Sequence, residues 1–260
     1  MSTPQPPFPA PAESTQPAQP GLSQGARVIN TFIAPSKTFL DIRRSASWWL
    51  PWLLGVLSVT AFLFTVERKV GYEAIINSRF AHASFLQKAV DRMTPEQKQA
   101  MINQQIAGAH RSLYTTPVAS IIVSLIFALL LMATFNFGFD AQIKYKAALA
   151  IVFYAWLPKV IFSLLAVLVM MVGVEPEGFD MENPVATHLG VLLGSNTDSR
   201  FLYRLLTGFD LFSFWWIFLM GLGFATVSQK KISTKAAVAA VAAWYVLGIL
   251  LRAAASPFAS

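Results

Sequence analysis

The sequence contains no cysteine and only three histidines among its 260 residues. The lack of cysteine excludes disulfide bonds, thiolate zinc sites, iron–sulfur clusters and cysteine nucleophiles. The histidines His82, His110 and His188 lie far apart and never at helical spacing, so they do not indicate a metal site. We therefore expect no cofactor.

Charge is the second scarce property. Asp, Glu, Lys and Arg make up 13% of the chain, which is about half of the share of roughly 25% found in soluble domains. Hydrophobic residues make up 55% and fall in a few long runs. A chain so poor in charge cannot cover a globule with hydrated surface, so the composition disfavours an ordinary soluble enzyme and indicates a membrane protein.

Five apolar runs are each close to the length of about 20 residues that a helix needs to cross a bilayer. They are too long and too free of charge to be strands, so the sequence predicts an all-α polytopic membrane protein, a bundle of five transmembrane helices. The first run opens with Trp48, Trp49 and Trp52, which is typical of an aromatic belt at the membrane edge. The predicted spans are residues 48–66, 117–139, 147–174, 211–227 and 236–255.

The region before the first span divides into two parts. Residues 1–26 contain seven prolines mixed with Ser, Gln, Ala and Thr, so a disordered tail is predicted there. Residues 27–255 are predicted to form the membrane domain. This domain opens over residues 27–47 with one or two short amphipathic helices at the membrane surface, broken at Pro35.

The net charge of +7 has an uneven distribution. Residues 27–47, 140–146 and 228–235 are basic, and all three lie on one side of the membrane if five spans alternate. The positive-inside rule then predicts a cytosolic N-terminus and an extracytoplasmic C-terminus. Basic residues do not cluster with aromatic residues on one stripe, so nucleic acid is not an expected partner.

Two longer segments lie on the opposite side. In residues 67–115, Thr94, Pro95 and Gln97 form the pattern of a capping box, which predicts a helix over about 95–111, and another is expected over about 70–91. This extramembrane helical hairpin either packs against the bundle, which we favour, or binds a ligand. In the second segment, residues 199–209 predict an amphipathic helix and Asp210 is placed to cap the fourth span.

Lys159 is the only charge deep inside a predicted span, and it follows Pro158 directly. Because a lysine at this depth costs about 2.5–3.5 kcal/mol on insertion scales, it should face protein or water. One hypothesis is a catalytic dyad with Ser163, which lies four residues later. The favoured hypothesis is structural: Lys159 snorkels or pairs with another group at a proline-kinked site.

Small residues are concentrated in the last two spans. The pairs Gly221/Ala225 and Ala236/Ala240 have the spacing that allows helices to approach closely. We predict that these two spans pack tightly, and a role in dimerisation is the alternative.

Three local patterns resemble one known family. They are Phe32-x-x-Pro35-x-x-x-Phe39, Tyr154-Ala-x-x-Pro158, and Asp210-x-Phe212-x-x-Trp215 leading into Gly221-x-Gly223. Over about residues 28–255 the chain resembles the bacterial-type branch of the Yip domain family. The resemblance implies five helical spans, a cytosolic N-terminus and residence in a bacterial inner membrane. Eukaryotic members act in vesicle traffic and contact Rab GTPases, but the short leader and the long 67–115 segment of this chain depart from them.

These observations predict a non-catalytic integral membrane protein that acts in membrane organisation or trafficking through protein or lipid contacts. The expected partners are the lipid bilayer, other proteins or a second copy of the chain. One alternative is a small-solute transporter or channel with Lys159 near the path, and a weaker alternative is an intramembrane hydrolase that uses Ser163 and Lys159.

Overall fold

The computed structural model describes residues 21–82, 92–173, 184–193 and 200–254. Every regular element within these ranges is a helix, which confirms the all-α class. Residues 1–20 of the predicted tail lie outside the described residues, and the first helix begins at Gln24 with the Ser23 hydroxyl as its cap. The α-helices are α1 (Gln24–Ile33), α2 (Pro35–Ile42), α3 (Trp49–Lys69), α4 (Tyr72–His82), α5 (Pro95–Phe139), α6 (Tyr145–Ala155), α7 (Leu157–Val172), α8 (Arg200–Thr207), α9 (Leu211–Val227) and α10 (Thr234–Ala254), and a 3₁₀ helix spans Leu189–Leu193.

Four stretches are long and apolar enough to cross a membrane: α3, α5, α6 with α7, and α10. Only 17% to 28% of the residues in their most apolar windows are buried inside the protein. Such apolar helices with little internal burial need lipid around them, so the chain is a multi-pass membrane protein. Helix α9 is also apolar but has 17 residues, about 26 Å of helix against a hydrocarbon core of about 30 Å.

The second predicted span is part of a longer helix. The sequence indicated a separate helix over 95–111 and a span from residue 117, but α5 runs from Pro95 to Phe139 as 45 residues with Pro117 inside. The prediction was wrong because the rise in apolar character at residue 117 was taken as the start of a helix. The capping box at Thr94 and Gln97 is confirmed, with bonds of 3.3 Å and 2.9 Å in the two directions.

The third predicted span consists of two helices. Helix α6 ends at Ala155, Trp156 forms a turn, and α7 begins at Leu157 with Pro158 in its first turn. A proline cannot donate to a carbonyl four residues earlier, and its ring clashes with that carbonyl, so the ladder breaks here. This break gives Lys159 a position at the start of a new helix.

The core of the bundle surrounds α6, in which every residue from Ala147 to Ala155 is buried. Helices α2, α5 and α9 pack around it, and the rings of Phe135 and Phe224 stack with centroids 4.5 Å apart. Of the one or two short helices that the sequence predicted, the structure has two, and the second begins at Pro35. They are more than a surface layer, however, because Phe39 of α2 is fully buried in this core.

The three basic segments meet at one end of the bundle. The main-chain nitrogen of Gln229 donates to the oxygen of Ala141 over 3.0 Å, which joins the α5–α6 loop to the α9–α10 loop. Asp140, the C-cap residue of α5, lies 3.4 Å from the amino group of Lys230 in the other loop, and both side chains are more than half exposed. This exposed ion pair is a second link between the two loops.

The predicted helical hairpin is described in part, because α4 ends at His82 and residues 83–91 lie outside the described residues. Ile76 of α4 packs against Ile102 of α5, and Tyr72 packs in a cluster with Met170 of α7. The hairpin thus packs against the bundle, as favoured. Burial raises the pKa of Tyr72 and Glu67 adds to the effect, so the neutral phenol is favoured.

Candidate functional site

Lys159 is partly buried and lies in the first turn of α7, directly after the helix break at Trp156 and Pro158. Lys159 follows Lys144, at the basic end of the bundle, by fifteen positions. This corresponds to about 22 Å along the helix axes, most of the way across a hydrocarbon core of about 30 Å. Its side chain is 26% exposed, so a charge at this depth needs a partner.

Asp210 is that partner. The Lys159 ammonium nitrogen lies 3.2 Å and 3.4 Å from the two carboxylate oxygens of Asp210. Asp210 also caps α9, as the sequence predicted, since its Oδ1 accepts from the main-chain nitrogens of Phe212 and Ser213 at 2.8 Å and 3.0 Å. One carboxylate therefore neutralises the lysine and satisfies the start of an apolar helix.

Two hydroxyl groups complete the arrangement. The Lys159 ammonium donates to Ser213 Oγ over 2.9 Å, and the Ser213 hydroxyl donates to Asp210 Oδ2. The Tyr245 hydroxyl of α10 lies 2.6 Å from Ser213 Oγ and 2.7 Å from the oxygen of Gly208. We call these four residues, Lys159, Asp210, Ser213 and Tyr245, the Lys159 cluster. It links α7, α9 and α10.

The structure does not bring Ser163 and Lys159 together as a dyad. The Ser163 hydroxyl donates to the main-chain oxygen of Lys159 over 3.1 Å, while the lysine ammonium binds Asp210 and Ser213. A general base needs a free lone pair directed at the nucleophile, and an ion-paired ammonium has none. The geometry instead matches the structural hypothesis of a paired lysine.

A cavity lies beside the Lys159 cluster. It has a volume of about 290 Å³ and is lined by residues that include Tyr245, Trp216, Trp244 and Arg252. Trp216 is 7% exposed, and its indole nitrogen has no hydrogen-bond partner among the described residues. Tyr245 therefore belongs both to the cavity wall and to the polar cluster.

Asp210 was predicted only as a cap, and Ser213 and Tyr245 were not predicted as site residues. A signal for the pairing was present, because Asp210 is the acidic residue that opens an apolar run and Lys159 is the lysine deep in another. The two lie 51 positions apart, however, and a single sequence does not reveal such a contact.

The small residues of the last two spans lie where α9 meets α10. A Cβ atom added to Gly221 would lie 2.6 Å from the Cα atom of Val238, so the two helices are in backbone contact there. Ala225, Ala236 and Ala240 are partly buried near this contact. A second glycine, Gly223, faces the other way, and a Cβ there would lie 2.6 Å from Ile151 and 2.9 Å from Phe39.

Residues of the first and third patterns contact each other in space, and a residue of the second contacts the first helix. The rings of Phe32 and Trp215 meet edge to face with centroids 5.5 Å apart, and Phe39 fills the space beside Gly223. Tyr154 is fully buried and its hydroxyl donates to the Gln24 side chain over 2.9 Å. The patterns thus join the N-terminal helices to α6 and α9.

A buried ion pair holds the N-terminal helices together, and sequence reasoning missed it. Arg27 Nε lies 2.6 Å from Asp41 Oδ2, with the side chains 3% and 8% exposed. Arg27 also donates to the oxygen of Ser45, and its own main-chain oxygen accepts from the hydroxyls of Thr31 and Thr38. In the sequence Arg27 had counted only as a positive charge that sets orientation.

No group of three or more His, Asp or Glu side chains converges as a metal site within the ranges that the structure describes. No curated protein and no solved structure matches the chain. The family model of the Yip1 domain, in contrast, matches residues 29–254, which include every helix from α2 to α10 and the second half of α1. By this match, and with the pattern residues in contact across the fold, the chain belongs to the Yip1 domain family.

Proposed function

We propose that this protein is a non-catalytic membrane protein that acts in membrane organisation or trafficking through contacts with proteins or lipids. Its family and its apolar helices support a role in the membrane. The observation that carries the proposal is the pairing of Lys159 with Asp210 and Ser213. A lysine held in this way stabilises the packing of α7 against α9, and it is not poised to attack a substrate.

Large apolar side chains on the outside of the bundle support a role in contacts. Phe137 of α5 is 93% exposed and Val172 of α7 is 83% exposed. Surfaces of this kind face lipid or another membrane protein. In the proposed orientation α9 is a fifth span, the N-terminus is in the cytosol and the protein resides in a bacterial inner membrane.

Photo-cross-linking in native membranes tests the proposal. Because the chain has no cysteine, a photoreactive maleimide on Phe137→Cys would label from one known position. The proposal expects discrete adducts with a partner protein or a second copy. Phe135→Cys, two residues away and fully buried, is the matched control and should give none. The absence of any protein adduct at Phe137→Cys, together with solute flux as described next, would contradict the proposal.

Transport of a small solute is the second candidate, and the cavity beside Tyr245 favours it. A transporter needs a path that reaches its ionisable groups, and here the cavity wall and the Lys159 cluster share Tyr245. Proteoliposomes that contain a pH-sensitive dye would distinguish the two functions. If the protein transports a solute with protons, the wild type should give a proton flux that disappears in the Lys159→Met/Asp210→Asn variant. If the main proposal is right, the wild type should give no proton flux above that of protein-free vesicles.

A further inference from the structure

A second cavity opens at the basic end of the bundle. Its volume is about 470 Å³, and it lies between the end of α2, the α5–α6 loop and the residues that follow α9. Arg43, Gln142, Lys144 and Gln229 contribute its polar lining. We call it the basic pocket. It is separate from the Lys159 cluster, about 22 Å away along α6 and α7.

The basic pocket carries uncompensated positive charge. Within the described ranges, no carboxylate lies within 4.0 Å of the basic groups of Arg43 or Lys144. The two carboxylates at this end are already used, since Asp41 binds Arg27 and Asp140 binds Lys230. Two neighbouring cations without counter-charges favour an anionic ligand.

The wall of the pocket is held in one conformation. Gln142 has a left-handed backbone with φ of 54°, which a residue other than glycine adopts only when its surroundings fix it. Asn136 fixes this loop through two bonds with Ile143, of 2.8 Å and 3.0 Å. The Gln229 side chain donates to the oxygen of Gln142 over 3.4 Å. The charged groups are therefore presented by a preorganised loop, which lowers the entropic cost of binding.

The basic pocket lies at the depth where the apolar helices begin and end. Helix α6 starts at Tyr145 and α9 stops at Val227, directly beside it. This is the level of lipid headgroups, where basic pockets between helices bind anionic lipid.

We propose that the basic pocket binds the phosphate of an anionic phospholipid headgroup, with Arg43 and Lys144 as the cationic contacts. The proposal deepens the lipid-contact part of the proposed function and rests on it. Gln142 and Gln229 supply amide groups for the remaining phosphate or headgroup oxygens. The acyl chains then lie along the exposed apolar helices.

Native mass spectrometry of the full-length protein in neutral detergent tests this assignment. Phosphatidylglycerol is titrated against the wild type, against Arg43→Gln/Lys144→Gln, and against the matched control Lys37→Gln/Lys235→Gln. The control removes two exposed charges that do not line the pocket. We expect the pocket variant to bind at least about fivefold more weakly, since it loses two charge-assisted contacts with the phosphate. The control should change affinity less than about twofold, and both variants should keep the wild-type melting temperature.

Three results would overturn the proposal. An equal loss of lipid affinity in the two double variants would mean that lipid is attracted by the overall positive charge of this end of the protein and not by the basic pocket. Unchanged lipid affinity in the pocket variant would show that Arg43 and Lys144 do not form the binding site. Full displacement of phosphatidylglycerol by inorganic phosphate at equal concentration would assign the pocket to a soluble anion. None of these results affects the cross-links at Phe137→Cys, so failure here is distinguishable from failure of the proposed function.

Discussion

The carboxylate of Asp210 has two roles, and the roles can be separated by substitution. It neutralises Lys159 at 3.2 Å, and it accepts hydrogen bonds from the first main-chain nitrogens of α9. Asparagine caps a helix about as well as aspartate but carries no charge. The pair of residues therefore allows a test of charge compensation that leaves the cap in place.

Replacing Lys159 by methionine should destabilise the protein by about 3 kcal/mol, because the buried carboxylate of Asp210 is left without its counter-charge. The additional change Asp210→Asn should restore most of the lost stability. Thermal unfolding in detergent measures both. Lys146→Met, which removes an exposed lysine from the same span, should have little effect. A Lys159→Met protein as stable as the wild type would show that the ion pair does not stabilise the fold.

Gly221 gives a second test at the level of a single atom. In Gly221→Ala the new methyl group would lie 2.6 Å from the backbone of Val238, so α9 and α10 must separate. Overpacking of this kind costs about 1–3 kcal/mol. Gly55→Ala in α3 is the matched control, because its Cβ would meet nothing within 4 Å and alanine favours a helix by about 1 kcal/mol. Melting temperatures that change in the same direction in both variants would contradict close packing at Gly221.

Among the helices, α1 and α2 form a unit that depends on one buried ion pair. The Arg27 guanidinium binds Asp41. The hydroxyls of Thr31 and Thr38 donate to the main-chain oxygen of Arg27. This unit presents Phe39 to the core beside Gly223. The orientation of two short helices is therefore coupled to the packing of α9.

Asp41→Ala should loosen the N-terminal helices, because the buried Arg27 guanidinium loses its counter-charge, at a cost of about 3–5 kcal/mol. Limited trypsin digestion measures the effect, since Arg43 and Arg44 lie directly after α2 and are exposed. We expect faster cleavage at these sites. Ser36→Ala changes a residue of α2 outside the pair and should be cleaved at the wild-type rate. The double variant Arg27→Met/Asp41→Leu should recover protection, and its failure to do so would place the effect elsewhere than in the charge balance.

The structural features that the sequence predicted correctly are those with a local signal in the sequence. The cap at Thr94, the cap at Asp210 and the break at Pro35 were predictable because each depends on residues within four positions. Continuation of α5 through Pro117 was not predictable from hydropathy, which records where a helix enters the membrane rather than where it begins. The break at Trp156 has a local cause in Pro158, two residues later, although the predicted span of 147–174 was not divided there.

Contacts across the molecule were the least predictable part. The pairing of Lys159 with Asp210 and of Asp140 with Lys230 each joins elements that are distant in the chain. Charge alone offers several partners for each group, and only the packing of the helices decides among them. The basic loops were different. Their excess of positive charge alone predicted that they lie on the same side, without knowledge of any contact.

The contact between the α5–α6 and α9–α10 loops makes the orientation of the whole molecule testable. Because Gln229 bonds to Ala141, Gln142 and Lys231 must lie on one side of the membrane, and the positive-inside rule predicts the cytosol. The chain has no cysteine, so single-cysteine variants can be labelled on intact cells with a membrane-impermeant maleimide. Gln142→Cys and Lys231→Cys should label only after the membrane is permeabilised. Asn103→Cys in the exposed part of α5 and Ala254→Cys at the end of α10 should label on intact cells. If Ala254→Cys were protected while Asn103→Cys reacted, α9 and α10 would not both cross, and the number of spans would be four or fewer.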